Sequence, residues 1–146
     1  MLTKSITFKD YNGNTRTEEF LFNLNKAELM EMHLGTTGGL DQIVRRIIAA
    51  QDNAALVKIF KDLILKAYGE KSLDGKYFMK EDENGRPLSK KFEQTDAYSV
   101  LFMELSTDAD KAVAFITDVM PEDLREKALA ESKKFEQSLP KPEPNN

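Results

Sequence analysis

The stretch "YNGN", residues 11–14, constrains the fold of this chain most, because it separates two runs of alternating apolar and polar residues. Asn-Gly between such runs is the strongest short-range signal for a β-hairpin, since a type I′ turn needs positive φ at both central positions. The apolar positions share one parity within each run, with Lys4 as the exception, and they are Leu2, Ile6 and Phe8, then Phe20, Phe22 and Leu24. Residues 2–24 are therefore predicted to form a hairpin whose apolar face must lie on helices or against another chain.

The remainder of the chain carries the apolar spacing of helices. Asn25 followed by Glu28 is typical of a capping box and predicts a short helix to about residue 33. Later segments repeat apolar residues at intervals of three and four, which is the pattern of a helix with one buried face. These segments are residues 40–48, 56–65, 98–105 and 109–120, followed by a mostly charged helix over 122–135. Gly69 is expected to end the central helix in a left-handed C-cap.

Turn signals interrupt the helical part between residues 70 and 95. Asp74-Gly75 and Asn84-Gly85 both favour tight turns, and Pro87 disfavours regular structure around it. We therefore predict that the segment 70–95 is irregular.

These patterns together predict an α+β fold that is mainly helical, with the N-terminal β-hairpin packed on a bundle of five to six helices. A chain of 146 residues, 40% of them hydrophobic, is of ordinary size for one domain and can bury a sufficient core. Residues 1–136 are expected to form a single globular domain, with the hairpin at 1–24 and the helical part at 25–136. The Pro-rich end, 137–146, is expected to be a disordered tail.

Composition and residue types argue against several classes of function. The absence of cysteine excludes disulfides, thiolate metal sites and a cysteine nucleophile. His33 is the single histidine, so a metal site built from histidines alone is impossible. The 25 acidic and 21 basic residues are interleaved and give a net charge of −4, the wrong sign for a protein that coats nucleic acid. No apolar run approaches the roughly 18 residues that span a bilayer.

Two loops carry residue types that occur in ligand sites, but their spacing favours a structural role for each. The acids around residues 81–84 are not followed by oxygen ligands at the alternate positions that a calcium loop needs. The "GTTGG" stretch at 35–39 lacks the Lys-Ser/Thr pair of a phosphate-binding loop and follows a helix rather than a strand. We therefore predict no catalytic residue, no cofactor and no metal, and the protein is not expected to be an enzyme. The enzyme alternative requires a concave pocket around His33.

Three blocks of sequence resemble a known family in their order and spacing. They are "KDYNGNTRTEEFLFNLNKAEL", "IFKDLILKAYGEKSLDGKYF" and "FEQTDAYSVLFMELSTDADKAVAFI". In this respect the chain is similar to the tail assembly chaperones of long-tailed bacteriophages that infect Gram-positive bacteria, and the likeness covers about residues 4–125.

The resemblance implies a small, acidic, non-catalytic protein that binds the phage tape-measure protein, keeps it soluble and assists tail-tube assembly. It implies action in the cytoplasm of the infected host and absence from the mature virion. The tail-tube protein and further copies of this chain are additional candidate partners, and neither nucleic acid nor a membrane is expected. The alternative is a structural virion component, such as a tail-tube or head-tail connector subunit.

Two apolar stripes are predicted to bind the partner. The first lies on the helix over 40–48, where Arg45 and Arg46 occupy the side away from the apolar residues. The second lies on the final helix, whose apolar side chains are too sparse for a core. The candidate residues are Leu40, Ile43, Val44 and Ile47 in the first stripe and Leu124, Leu129 and Phe135 in the second. An unpaired edge of the hairpin is a further candidate site for self-association.

Overall fold

The computed structural model describes residues 1–31 and 53–126. Along the chain, the elements are β1 (Leu2–Lys9), β2 (Thr15–Phe22), α1 (Lys26–Glu31), α2 (Asn53–Ala67), β3 (Tyr68–Lys71), β4 (Phe78–Met79), α3 (Ser89–Glu93), α4 (Asp96–Thr107) and α5 (Ala109–Asp118). A helical segment at 122–126 follows. The predicted α+β class with an N-terminal antiparallel strand pair is confirmed. The predicted tail, 137–146, lies outside the described residues.

The two strands of the hairpin pair over their whole length. Their antiparallel register runs from Leu2 opposite Phe22 to Lys9 opposite Thr15. Lys4, the one charged residue at an apolar position, lies on the core side and donates to Glu104 of α4 at 2.8 Å. This ion pair explains the exception in the sequence pattern, because the lysine connects β1 to the helix packed beneath it.

The turn of the hairpin differs from the predicted type I′ turn. The Gly13 N–H donates to the Asp10 carbonyl at 3.0 Å, and the Asp10 N–H donates to the Asn14 carbonyl at 2.9 Å. The loop is therefore three residues long, with Gly13 at φ 84°. The Asp10 carboxylate favours this loop because it accepts from the N–H groups of Asn12 and Asn14, both at 2.9 Å. The predicted hairpin is confirmed. The predicted type I′ turn, which has two residues in its loop, is wrong.

The sheet contains two strands that the sequence did not predict. Its order is β1-β2-β3-β4, with Tyr68 opposite Phe22 and β4 antiparallel to β3. The segment 70–95 is therefore not irregular throughout, since it holds the end of β3, all of β4 and all of α3. The predicted turns are present, because Gly75 and Gly85 have φ of 78° and 76°. What was missed is that these turns return the chain into a sheet.

The loop from β3 to β4 is held by its own polar groups. The Ser72 N–H donates to the Tyr77 carbonyl at 2.9 Å, and the Ser72 hydroxyl donates to Asp74 at 2.7 Å. The N–H of Lys76 and the Ser72 hydroxyl lower the pKa of the Asp74 carboxyl. Leu73 stands fully exposed at the tip of this loop.

Gly69 does not end α2 in a left-handed cap, and that prediction is wrong. Helix α2 ends at Ala67, and Gly69 pairs with Leu21 within β3. The residue is buried where β4 crosses closest, and a Cβ at this position would lie 2.7 Å from the Met79 carbonyl oxygen. Glycine is therefore required here by close backbone approach rather than by positive φ.

The core lies between the sheet and helices α2 to α5. Phe22 is fully buried and makes edge-on contacts with Phe92 of α3 and Phe115 of α5, with centroid distances of 5.7 Å and 5.3 Å. Tyr68 stacks on Phe92 at 4.5 Å. The most deeply buried side chains are Phe22, Phe92, Leu24, Leu29, Ile64, Leu101, Ile116, Met120 and Val119.

Helix α1 begins as the sequence predicts. The Glu28 N–H donates to the Asn25 side chain at 2.8 Å, and the Asn25 N–H donates to the Glu28 carboxylate at 3.1 Å. This reciprocal pair is the capping box, which satisfies two N–H groups that a helix start otherwise leaves without partners. Leu29 then points into the core.

Candidate partner-binding surface

An apolar groove runs between α2 and α4 on the surface of the described part of the chain. Tyr98 and Phe102 of α4 form its floor, and Val57 of α2 forms part of one wall. The groove has a volume of about 390 Å³ and is open to solvent. It arises because the apolar stripe of α4 is wider than its buried face. Ala97, Leu101 and Leu105 fill the core, and the two aromatic residues lie one position further around the helix, half-buried.

The floor of the groove is a short aromatic row. The Tyr98 ring lies 5.9 Å from Phe102 and 6.0 Å from the buried Phe92, with the second pair edge-on. Burial raises the pKa of the Tyr98 phenol, and the nearby Glu93 and Asp62 carboxylates add to this effect. The phenol therefore stays neutral well into alkaline pH and offers a hydrogen-bond donor within an otherwise apolar surface.

Basic side chains line the α2 wall of the groove. Lys58 and Lys61 lie beside Val57, and the Lys61 ammonium is 3.4 Å from the Glu93 carboxylate. This pair is exposed, so its contribution to stability is small. Val57 is 47% exposed and lies on the solvent-facing side of α2 together with Lys58 and Lys61. The groove thus presents an apolar floor beside two lysines, of which Lys61 is paired with Glu93.

The predicted stripes are only partly described by the structure. Leu40, Ile43, Val44, Ile47, Leu129 and Phe135 lie outside the described residues, as do His33 and residues 35–39. Leu124 is half-buried and packs against the core cluster, so only part of its side chain faces solvent. Arg125 holds this segment in place by donating to the Thr117 carbonyl at 3.2 Å.

Sequence reasoning did not select the groove residues. The pattern of residues 98–105 predicts only a helix with one buried face, because a single apolar stripe gives no measure of how much of it a neighbouring element covers. One signal was available. Tyr98 and Phe102 are spaced i, i+4 beside the Leu101 and Leu105 positions, so the apolar arc is wider than one packed neighbour requires.

A second polar cluster surrounds Lys80 and has a structural role. Its ammonium donates to the Asn23 carbonyl at 2.8 Å and to the Lys66 carbonyl, and it lies 3.3 Å from the Glu28 carboxylate. Burial lowers the pKa of Lys80, and Glu28 opposes this shift. A lysine with a lowered pKa can act as a nucleophile. Here its three donors are all directed at acceptors of the fold, so it ties β2, α1 and the end of α2 together.

The described residues hold no group of three or more His, Cys, Asp or Glu side chains that could bind a metal ion. Within residues 1–31 and 53–126, no helix combines the length and apolar character needed to cross a bilayer.

Comparison with known proteins identifies the family. A family model described as phage tail assembly chaperone matches residues 1–145. Searches of curated proteins and of solved structures found no match. The match covers nearly the whole chain, including the hairpin, both groove helices and the Lys80 cluster. The chain belongs to the phage tail assembly chaperone family.

Proposed function

We propose that this protein is a non-catalytic chaperone that binds the tape-measure protein of its phage, keeps it soluble and assists tail-tube assembly. The site of action is the cytoplasm of the infected host, and the mature virion lacks the protein. The observation that carries this proposal is the open groove between α2 and α4, with its aromatic floor and the two lysines on its wall, in a member of a tail assembly chaperone family.

The shape of the groove suits an amphipathic helix. A helix laid between two others contacts them through apolar side chains spaced three and four residues apart. Tyr98 and Phe102 supply large, fairly rigid contact area, and Tyr and Trp side chains are enriched at such anchor points. A tape-measure protein carries long helices with apolar stripes, so covering those stripes prevents their aggregation before the tube assembles.

The two lysines on the groove wall favour one kind of client segment. Lys58 and Lys61 attract a helix whose apolar stripe is flanked by acidic residues, and exposed charges of this kind accelerate association more than they raise affinity. The groove therefore selects client segments with Asp or Glu beside the anchors. This preference weakens as salt concentration rises, because exposed charge pairs are screened.

The stripes predicted from the sequence are proposed as additional contacts. Residues Leu40, Ile43, Val44 and Ile47 form one candidate surface, and Leu124, Leu129 and Phe135 form the other. A long client needs several contacts per chaperone copy to remain covered, which these stripes would provide. The tail-tube protein is proposed as a second partner.

The test is co-expression with the tape-measure protein from the same genome, using two Val→Glu substitutions that differ only in place. Val57→Glu puts a carboxylate into the groove wall. Val100→Glu makes the same change on α4 away from the groove, at a side chain that is also exposed. We expect Val57→Glu to reduce recovery of soluble client at least tenfold and Val100→Glu to leave it unchanged. Both variants should keep the wild-type melting temperature.

Equal effects of the two variants would contradict the claim that the groove binds the client. A client that is soluble without this protein would contradict the chaperone role. The alternative, a structural tail-tube or connector subunit, predicts stoichiometric amounts of the chain in purified particles. Mass spectrometry of virions decides between the two, because a chaperone is lost before the particle is complete.

A further inference from the structure

Half of β2 has an open edge. The strand pairs with β1 along its whole length but with β3 at two positions only, Leu21 opposite Gly69 and Phe22 opposite Tyr68. Beyond these positions β3 diverges toward β4, and the five residues Thr15–Glu19 are all exposed. An exposed strand edge of this length is a template for pairing with another strand.

The hydrogen-bonding phase of β2 identifies which backbone groups face outward. Asp10 bonds to Asn14 across the hairpin, and Asn23 bonds to Ala67 on the β3 side. Because the bonds of an antiparallel ladder alternate, odd-numbered residues of β2 direct their N–H and C=O groups away from β1. Thr15, Thr17 and Glu19 are not among the β2 residues that pair with β3.

The sequence of this edge is complementary to itself. Pairing with a second copy through the outward groups matches odd residues with odd residues, so neighbouring registers differ by two positions. With Thr17 opposite Thr17, Arg16 lies opposite Glu18 twice. In the register that pairs Thr15 with Thr17, Arg16 lies opposite Arg16. In the register that pairs Thr17 with Glu19, Glu18 lies opposite Glu18. Opposite charges across strands stabilise pairing and like charges destabilise it, so the charges favour the Thr17 register.

We propose that two copies of this chain associate through the outer edge of β2, antiparallel, with Thr17 on the two-fold axis. Three outward-facing residues on each strand allow six backbone hydrogen bonds between the copies. The symmetric arrangement continues the sheet from one protomer into the other and covers the open half of β2 in both. This inference concerns the free protein and does not depend on the proposed client.

The surroundings of the edge can accommodate a second strand. In this register Asn14 of one copy lies opposite Phe20 of the other, so the partner's turn enters the cleft where β3 separates from β2. That cleft has a volume of about 690 Å³ and is lined on its two sides by residues 18–21 and 68–71. Arg16 bonds to Asp10 at 2.7 Å and lies 3.7 Å from Glu18 of its own strand. Because 53% of its side chain is exposed, its guanidinium can exchange the looser Glu18 contact for Glu18 of the second copy.

The test is sedimentation equilibrium of the full chain without client. Thr17→Pro removes an N–H that faces the proposed interface. Thr7→Pro is the matched control, since the N–H of Thr7 faces the opposite edge of the hairpin. We expect the wild type and Thr7→Pro to dimerise and Thr17→Pro to be monomeric at tenfold higher concentration. Dimerisation of Thr17→Pro with loss in Thr7→Pro would assign the interface to β1 and overturn the proposal.

Charge reversal tests the register and does not depend on how the strand tolerates proline. Arg16→Glu and Glu18→Arg each place like charges opposite one another and should raise the dissociation constant at least tenfold. The double exchange restores complementarity in the same register and should restore the dimer. A double variant that stays monomeric, or a wild type that is monomeric at a few hundred micromolar, would overturn the proposal.

Discussion

The two halves of β2 are both extended strand, but one half packs into the core and the other is exposed to solvent. Arg16, Glu18, Phe20 and Phe22 all point to the same face of the sheet, as alternate residues of a strand must. Phe20 and Phe22 lie over Phe92, with centroid distances of 5.1 Å and 5.7 Å, whereas the two charged residues extend beyond the core. One strand thus serves two purposes. Its second half stabilises the fold, and its first half is free to contact another molecule.

The largest difference between the halves is expected from truncating the buried end. Phe22→Ala removes a fully buried ring that contacts three other aromatic residues, and large-to-small core changes of this kind cost about 3–5 kcal/mol in free energy of unfolding. Thr15→Ala, at the exposed end, should change it by less than about 0.5 kcal/mol. Urea denaturation at low protein concentration measures both. Comparable losses would show that the exposed half also contributes to the core.

The second largest loss of stability is expected at Gly69, where β3 pairs with the buried half of β2. Gly69→Ala places a methyl group against the Met79 carbonyl, so β4 must shift away, and we expect a loss of about 1–3 kcal/mol. Glu70→Ala, on the same strand with an exposed side chain, is the control and should be nearly neutral. A neutral Gly69→Ala would mean that β4 moves without cost and contributes little to the sheet.

A smaller loss is expected from Lys80→Met. The substitution keeps most of the apolar stem but leaves the Asn23 and Lys66 carbonyls without their shared donor, which should cost about 1–2 kcal/mol. Lys76→Met, in the exposed loop of the same segment, should have little effect. Amide exchange near residue 23 should rise in the first variant alone, and unchanged exchange there would contradict the assigned role.

The smallest effect depends on pH. Burial raises the pKa of Tyr68 above its ordinary value of 10.0, and Glu70 and Glu18 add to this shift. The folded state therefore holds its phenol proton more tightly than the unfolded state, so this contribution to stability is complete below about pH 10 and is lost as pH rises through the folded pKa. Tyr68→Phe should lose less stability than the wild type between pH 9 and 11. Parallel unfolding curves over that range would contradict this.

Much of the fold could be predicted because its signals are local. The Asn12-Gly13 pair, the parity of the hairpin strands and the Asn25–Glu28 capping box each involve residues only a few positions apart. Strand β3 was missed because its pairing with β2 joins residues 22 and 68, and nothing within Tyr68–Lys71 distinguishes a short strand from a helix end. The cleft and the groove could not be predicted either, since both depend on which parts of a stripe a distant element leaves uncovered.

The loop between β3 and β4 also has a practical consequence. Leu73 is fully exposed, and the hydrogen bonds of Ser72 hold the loop without involving the leucine side chain. Because the chain contains no cysteine, Leu73→Cys introduces a single thiol at a fully exposed point in this loop. With one fluorophore attached per molecule, the fluorescence intensity is proportional to the number of protein copies. Measuring this intensity on a single client would give the number of copies that accompany it.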